Sequence, residues 1–297
     1  MTQSGSKPVL LERFDGERFE AHGDALTVEE PLEIRLGYGP VGERAVKSIS
    51  VTMRTPGHDA ELAVGFLLTE GVIQDEQCIA AVKTSHAEET ERDDADIVFA
   101  RTSGPNVVTV ELMPHVTVSP TNLQRNFYTT SSCGVCGKAS LLALRTVCPP
   151  RWRNHFDIDT ETLCALPPRL RAAQGIFERT GGLHAAALFA ADGELDSLRE
   201  DVGRHNAVDK LLGAALLEDR VPLRDRVLLL SGRASFELLQ KAVMGGIPMV
   251  ASVGAPSSLA VEVAKEFGIT LVGFLRENHF NVYWGAEHLR ARKLEPA

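Results

Sequence analysis

Two cysteines placed three positions apart are the residues of this chain best suited to chemistry. They are Cys133 and Cys136, in the segment SSCGVCGK of residues 131–138. A glycine follows each cysteine and permits a tight turn that exposes both sulfur atoms. Good helix formers occupy residues 139–145, so we expect the pair on a loop that enters a helix. The helix dipole and Lys138 would both favour the thiolate, which is a nucleophile and a soft-metal ligand.

Three kinds of chemistry use such a cysteine pair. A structural zinc site needs four ligands, and the sequence offers neither a second pair nor histidines at zinc-finger spacing. A thioredoxin-like exchanger expects an early strand and a domain of about 100 residues, whereas this pair lies in mid-chain. In a sulfur carrier, a thiolate accepts sulfane sulfur as a persulfide and a second thiol assists its release. A lone exposed pair favours the sulfur carrier.

One further pattern imitates a zinc deaminase. His86 and Glu88 form an H-x-E pattern ahead of the cysteine pair, as in those enzymes. Ser132, however, stands where the deaminase pattern has proline, and the acidic residues 84–95 carry no large apolar side chain that could bury a helix face. We therefore predict a solvated loop at residues 84–95 and no metal site in the chain.

Length, net charge, hydropathy and cysteine count exclude several classes of protein. With 297 residues the chain can form two domains or one large one, and its net charge of −9 argues against a nucleic-acid or acidic-membrane binder. No apolar run is long enough to span a bilayer, and the polar N-terminus lacks the core of a secretory signal. Five cysteines are too few, and an odd number, for a disulfide framework. The cytoplasm is the expected compartment.

The first third of the chain is predicted to consist mainly of strands and turns. Apolar and polar residues alternate over 32–36 and again over 48–53, which is typical of half-buried strands. Residues 37–42 (GYGPVG) match the dinucleotide-binding fingerprint, but a strand follows them where the fingerprint needs a helix. We therefore predict a hairpin loop. A helix is expected over residues 59–71, with Asp59 as its cap.

The middle of the chain is predicted to hold a connection, a hairpin and a helix. The proline-rich residues 148–168 are expected to cross the surface with little regular structure. Residues 185–189 and 194–198 form a predicted hairpin. The segment EDVGRHNAVDK at 200–210 then continues as a helix to residue 217. Its dense polar residues indicate either a functional cluster or a capped helix with a solvated first turn.

The last part of the chain predicts a parallel sheet. Strands at 227–230, 249–253 and 269–275 alternate with helices at 235–244 and 257–267, which is the pattern of right-handed β-α-β crossovers. Ligands bind beyond the carboxyl ends of such strands. The residues expected there are the segments 231–233, 254–257 and 276–279. Helix-start N–H groups, with Arg233 and Arg276, suit an anionic group such as phosphate.

Five ordered motifs between about residues 54 and 283 resemble those of the FdhD family. They are SCGVCG at 132–137, TGGLH at 180–184, EDVGRHNAVDK at 200–210, SGR at 231–233 and FLR at 274–276. The resemblance implies an α/β fold (α+β overall). A cytidine-deaminase-like domain with the parallel βαβαβ sheet would span residues 129–297, and a smaller strand-rich domain would span residues 1–128.

The resemblance also implies a function. Members of the family are cytoplasmic accessory proteins of formate dehydrogenase, usually homodimers. They accept sulfur as a persulfide from a cysteine desulfurase. They then pass it to the molybdenum cofactor in its bis-molybdopterin guanine dinucleotide form, before that cofactor enters the dehydrogenase. Two alternatives remain open: a chaperone that binds the molybdenum cofactor without transferring sulfur, and a zinc-dependent hydrolase of the deaminase type.

The resemblance also implies which residues form the functional site. Cys133 matches the persulfide-bearing cysteine of the family, and Cys136 is its neighbour. The segment that matches the family's cofactor-binding stretch consists of Phe274, Leu275, Arg276, Glu277, Asn278 and His279. Polarity and placement, rather than the resemblance, add Arg233, His184, Arg204 and His205 to the predicted cofactor-binding residues, and they also indicate a role for Asp201.

Overall fold

The computed structural model of the chain describes residues 5–85, 106–118, 144 and 156–291, which form a mixed α/β structure with several sheets. Cys133 and Cys136 lie outside the described residues, as do the H-x-E pattern and the predicted domain boundary at 128/129. The division into two domains therefore stays a prediction. No helix in the described part of the chain is long and apolar enough to cross a membrane.

The first half of the chain forms a hairpin arm and a four-stranded sheet. The arm pairs β1 with β2, and the sheet has the order β4-β3-β6-β5. These strands are β1 (Ser6–Phe14), β2 (Phe19–Thr27), β3 (Glu30–Tyr38), β4 (Ala45–Arg54), β5 (Ile79–Ser85) and β6 (Val107–Leu112). The antiparallel pairing of β3 with β4 confirms both predicted strands and the hairpin, whose loop lies at residues 39–44 rather than 37–42. No dinucleotide-binding turn exists there.

Helix α1 (Asp59–Thr69) follows β4 and begins differently from the prediction. His58 occupies the position before the first helical residue with φ 60°, and no side chain caps the helix there. Asp59 is instead buried and accepts two hydrogen bonds from Arg54, at 2.9 and 2.8 Å. The predicted capping role of Asp59 is wrong because a buried guanidinium, which must be paired, takes up its carboxylate.

Helix α2 (Thr160–Ala173) corrects the prediction of an irregular surface connection for residues 160–168. Residues 148–155 of that predicted connection lie outside the described residues. The helix contains Pro167 and Pro168, which disfavour a helix because each lacks an N–H group. Leu163, Leu166 and Leu170 recur at helical spacing and are buried, with exposed fractions of 0 to 2%. Burial of these three leucines contributes about 5 to 9 kcal/mol, which can offset the two interior prolines at about 3 kcal/mol each.

The second half of the chain is built on a six-stranded sheet with the order β13-β12-β11-β10-β8-β9. The remaining strands are β7 (Ile158–Asp159), β8 (His184–Phe189), β9 (Leu195–Asp201), β10 (Val227–Leu230), β11 (Met249–Ser252), β12 (Thr270–Gly273), β13 (Asn281–Trp284) and β14 (Leu289–Arg290). The remaining helices are α3 (Gly175–Thr180), α4 (Arg204–Leu217), α5 (Phe236–Met244) and α6 (Ser258–Phe267). Strands β10, β11 and β12 are parallel, as predicted. The antiparallel partners β8 and β13 flank them.

Both faces of this sheet are buried, which explains why β10 reads as an unbroken apolar run. Val227 and Leu229 face one core together with α2, whereas Leu228 and Leu230 face the other. The latter core also contains residues of α1, α4, α5 and β3. The two sheets therefore share one hydrophobic cluster. Helix α1, which packs on the four-stranded sheet, and helix α4, which packs on the six-stranded sheet, lie between them.

Helices α1 and α4 approach each other at two glycines. A Cβ atom added at Gly65 would lie 1.8 Å from the Asp209 carbonyl oxygen, and one added at Gly213 would lie 1.8 Å from the Glu61 carbonyl oxygen. These backbones touch only because neither residue has a side chain. The contact positions the start of α4 relative to the first half of the chain.

An ion pair next to this contact makes stability depend on acid. Glu61 accepts hydrogen bonds from Arg199 Nε at 2.6 Å and Nη2 at 2.9 Å. Burial alone would raise the pKa of Glu61, but bonds from His58 and Arg199 outweigh it and lower the pKa from 4.5 to about 2. Because the folded-state pKa is depressed, the stabilisation is present above pH 4.5 and is lost as pH falls through 2.

We predict that Glu61→Gln lowers the free energy of unfolding by about 1 to 2 kcal/mol at pH 7, allowing for solvent screening. The deficit should shrink as the pH falls from 4.5 towards 2, because wild-type Glu61 then becomes protonated. Urea unfolding at several pH values measures both effects. Glu20→Gln, which removes the carboxylate of an exposed pair with Arg18, is the matched control and should change little. An equal deficit at all pH values would contradict the prediction.

Candidate functional site

Three loops meet at the carboxyl edge of the parallel strands. The Gly254 N–H donates to the Gly232 carbonyl at 2.8 Å, and the Phe274 N–H donates to the Gly254 carbonyl at 3.0 Å. Hydrogen bonds thus join the loop after β11 to the loop after β10 on one side and to the loop after β12 on the other. A Cβ atom at Gly254 would lie 2.9 Å from the Gly232 carbonyl oxygen, so the two loops come together because glycine allows it. The edge at which the sequence predicted a ligand is therefore compact and ordered.

Phe274 has an unusual backbone at this edge. Its φ of 53° is in the left-handed region, which costs a bulky residue about 1 to 2 kcal/mol. The hydrogen bond from its own N–H to Gly254 and one from the Leu275 N–H to Ser252 O at 3.0 Å hold it there. Its side chain is 39% exposed, whereas that of Leu275 is fully buried in the core. The conformation thus presents an aromatic ring at the edge, while Leu275 can offer a ligand only its backbone.

The next residues form a tight turn. The Arg276 N–H donates to the His279 carbonyl at 2.9 Å, and Arg276 Nη1 donates to the carbonyls of Val253 at 2.7 Å and Leu275 at 2.8 Å. Arg276, Glu277, Asn278 and His279 are all exposed. The guanidinium of Arg276 therefore ties this turn to the loop after β11 and keeps its other N–H groups at the surface.

The start of α4 lies beside the same edge. His184, the first residue of β8, packs so closely on Gly232 that a Cβ atom there would be 3.3 Å from its Nδ1. Burial and the nearby Arg204 lower the pKa of His184, with Asp201 opposing them. Burial, followed by Lys241 and Arg204, lowers the pKa of His205 from 6.5 to about 4, so this imidazole is neutral at pH 7.

The structure places the predicted cofactor-binding residues in two groups. Phe274 to His279 follow β12, and Arg233 is exposed on the loop after β10. His184, Arg204 and His205 form the second group at the start of α4, where the pKa effects of Arg204 on both imidazoles show that the charges are close. Gly232 links the two groups, because it contacts both His184 and Gly254.

A buried polar network positions the start of α4, and the sequence did not reveal it. Asp201 is fully buried and accepts hydrogen bonds from the Thr55 N–H at 3.1 Å, the Gly203 N–H at 2.8 Å and Asn206 Nδ2 at 2.9 Å. Lys210 Nζ lies 2.7 Å from Oδ2 of Asp201. All four carboxylate contacts are thus made within the protein, which clamps the turn between β9 and α4.

A second buried cluster lies one turn further along α4. Lys241 Nζ donates to both carboxylate oxygens of Asp209, at 2.8 and 2.9 Å, and to Thr69 Oγ1 at 2.9 Å. Asp209 and Lys210 are 2% and 1% exposed. The alternative of a capped helix with a solvated first turn is also wrong, because no side chain caps α4 and Asn206 in its first turn is buried. Charged residues inside an otherwise apolar helix were the available signal, since buried charges must be paired.

Comparison with known proteins agrees with the motifs. The model of the FdhD/NarQ family matches residues 27–290. The sulfur carrier protein FdhD of Streptomyces coelicolor is 52% identical over 279 residues, covering 91% of this chain and 90% of that protein. The protein of the same name from Sulfurisphaera tokodaii is 39% identical over 283 residues, covering 95% of this chain and 98% of that protein.

A solved structure shows the same fold. A crystal structure described as that of a formate dehydrogenase accessory protein from Desulfotalea psychrophila superposes with a TM-score of 0.70 at 21% identity, and covers 97% of this chain and 100% of its own. The likeness extends over both halves of the molecule. Since the family model and the relatives also span most of the sequence, the chain belongs to the FdhD/NarQ family.

Proposed function

We propose that this protein is a sulfur carrier that accepts sulfur as a persulfide and transfers it to the molybdenum cofactor for formate dehydrogenase maturation. The main support for the proposal is the sequence identity of 52%, over 91% of this chain, to a protein named sulfur carrier protein FdhD. The pair Cys133 and Cys136 supplies the required thiols. The solved relative is described as a formate dehydrogenase accessory protein, which supports formate dehydrogenase as the enzyme that this protein serves.

The transfer divides into two balanced steps. In the first, the Cys133 thiolate attacks the terminal sulfur of a cysteine desulfurase persulfide, forming Cys133–S–SH and releasing the desulfurase thiol. In the second, the Cys136 thiolate attacks the Cys133 sulfur, and the terminal sulfur leaves as sulfide to the cofactor. Oxidation of the two cysteines to a disulfide supplies the two electrons that convert sulfane sulfur to sulfide. A thiol reductant restores the dithiol.

The carboxyl edge of the parallel strands is the proposed binding site for the guanine dinucleotide part of that substrate. Phe274 offers an exposed ring on which a planar base can stack. Arg233 and the turn at residues 276–279 supply cationic and polar groups at the same edge. Backbone contacts between the loops, rather than flexible side chains alone, fix these groups, which is the arrangement that favours specific binding.

The remaining assignments extend this proposal. A cytoplasmic location follows from the function, because the cofactor must receive its sulfur before it enters the dehydrogenase. The homodimeric state, the two domains at 1–128 and 129–297 and the cytidine-deaminase-like character of the second are likewise part of the proposal. They are supported by the resemblance of the sequence motifs, and sedimentation of the purified protein tests the dimer.

A cofactor-binding chaperone is the second candidate, because the binding groups proposed among the described residues of this edge do not include a cysteine. On that interpretation the Cys133→Ala protein would still support formate dehydrogenase maturation. A zinc-dependent hydrolase is the third, and stoichiometric zinc in the purified protein would support it. The sulfur carrier is preferred because it uses the cysteine pair.

The decisive experiment is intact-mass spectrometry after incubation with a cysteine desulfurase and cysteine. We expect the wild-type protein to gain one sulfur atom that reductant removes, and Cys133→Ala to gain none. Cys78→Ala changes a cysteine remote in sequence from the pair and serves as the matched control, which should behave as wild type. No gain by the wild-type protein, with a desulfurase shown to load another acceptor, would refute sulfur carriage and leave the chaperone.

Phe274 gives a prediction about the binding edge. Phe274→Gly removes the ring and also the left-handed strain, so affinity for GDP should fall about tenfold while stability stays equal or rises by up to about 1 kcal/mol. Titration calorimetry and urea unfolding measure the two quantities. Phe14→Ala, which removes an exposed ring from the hairpin arm, should leave GDP binding unchanged. Unaltered GDP affinity in Phe274→Gly would contradict the stacking role.

A further inference from the structure

Two buried polar atoms at the start of α4 lack a partner in the described part of the chain. They are Nε of Arg204 and Nε2 of His205. A buried donor or acceptor left without a hydrogen bond costs about 1 to 3 kcal/mol, and native structures retain few of them. Neighbouring residues that both carry such an atom, beside the proposed binding edge, indicate a place prepared for a ligand.

The charges around His205 favour an anion. Arg204 lies beside it on α4, His184 faces it from β8, and Lys241 and Glu237 face it from α5. Glu237 Oε2 lies 3.9 Å from Nε2 of His205, which is beyond hydrogen-bond distance. Arg204 and Lys241 are both cations and only Glu237 opposes them, although Lys241 is itself paired with Asp209. A third cation in this place is unfavourable until a negative group enters.

We propose that Arg204 and His205 together bind one anionic group of the ligand, and that His205 takes up a proton from solvent as the anion binds. Arg204 Nε–H donates to the anion throughout. The neutral imidazole plus one proton gives the imidazolium, whose Nε2–H then donates as well, and no other bond changes. The inference deepens the proposed function, on which it rests, by making cofactor binding proton-linked.

His205 is expected to gain a proton because the bound anion changes the balance of charges around its imidazole. Without ligand, burial and two nearby cations keep His205 neutral, with its pKa lowered to about 4. An anion at hydrogen-bond distance favours the charged imidazole and raises its pKa. Between the two pKa values, affinity should therefore increase up to tenfold for each unit by which the pH falls. Release of the ligand returns the proton to solvent.

The test uses GDP-mannose, a diester of pyrophosphate whose own charge does not change between pH 6 and 8. Titration calorimetry at pH 6, 7 and 8, in pairs of buffers with different ionisation enthalpies, measures the protons taken up on binding. We expect an uptake approaching one proton at pH 6, together with tighter binding than at pH 8. His205→Gln should bind with no uptake and with pH-independent affinity. His22→Gln, on the exposed hairpin arm, should match the wild type.

A second measurement keeps the inference testable if His205→Gln folds poorly. The imidazole resonances of the labelled wild-type protein should show a His205 pKa that rises on adding GDP-mannose. Binding without proton uptake and without that rise would overturn the inference and leave the proposed function standing. Absence of any GDP-mannose binding would instead refute the proposed nucleotide site, and this inference with it.

Discussion

Replacing Gly213 by alanine is expected to destabilise this protein by about 4 kcal/mol or more, enough to unfold a marginally stable domain. The added Cβ would lie 1.8 Å from the Glu61 carbonyl oxygen and 2.7 Å from the Gly65 amide nitrogen. Both obstacles are backbone atoms of α1, so no side-chain rotation relieves the clash, and the helices must separate. Separation opens the hydrophobic cluster that both sheets share.

Urea unfolding of the purified variant measures this effect, or its failure to accumulate as soluble protein reports it. Gly175→Ala is the matched control, because a Cβ at Gly175 meets nothing within 4 Å and the residue lies at the start of α3. That variant should be as stable as wild type or slightly more so, since alanine favours helices. A Gly213→Ala protein of wild-type stability would show that α1 and α4 do not pack as described.

Replacing Lys241 by methionine is expected to cost about 3 to 5 kcal/mol at neutral pH, because it leaves the Asp209 carboxylate buried without its cation. Lys241 bonds both oxygens of that carboxylate, so the loss leaves only the Thr69 hydroxyl as a partner among the hydrogen bonds described. Burial already raises the pKa of Asp209, with Lys241 opposing it. The variant should therefore be less destabilised at pH 5 than at pH 8, as the carboxylate takes up a proton.

The double variant Lys241→Met with Asp209→Asn provides the control for this second prediction. Removing both charges should restore most of the lost stability, because a neutral amide can bond Thr69 without a counter-ion. Urea unfolding at pH 5, 7 and 8 gives the complete set of free energies. If the single and double variants are equally unstable, the loss arises from packing around Lys241 rather than from an unpaired charge.

The parallel part of the sheet was predictable because its signals are local. Each of the strands β10, β11 and β12 is a short run of mainly apolar residues followed by a turn, and an amphipathic helix follows the first two of these turns. Ser257 caps α6 by accepting a hydrogen bond from the Ala260 N–H. Right-handed crossovers then bring the three loops to one edge. The antiparallel strands β8 and β13 were harder to place in that sheet, because strand order depends on pairing between distant segments.

Helix α2 and the cap of α1 show where local signals mislead. Prolines at 167 and 168 indicate a break, yet burial of leucines at helical spacing outweighs them. Asp59 has the residue type of a cap, yet a buried Arg54 takes its carboxylate. For α2, packing against distant segments outweighs the local preference. For Asp59, pairing with a buried cation outweighs a capping preference of about 1 kcal/mol.

By itself the sequence determined the family, the cysteine chemistry to be expected and the loops at which a ligand would bind, since these depend on residue type and spacing. Only the tertiary structure decided how the start of α4 is held, through Asp201 and Asp209, and that His205 is neutral beside Arg204. The reason is that burial and charge pairing are properties of three-dimensional neighbours. A polar residue in a helix has the same letter whether it faces solvent or a buried counter-ion.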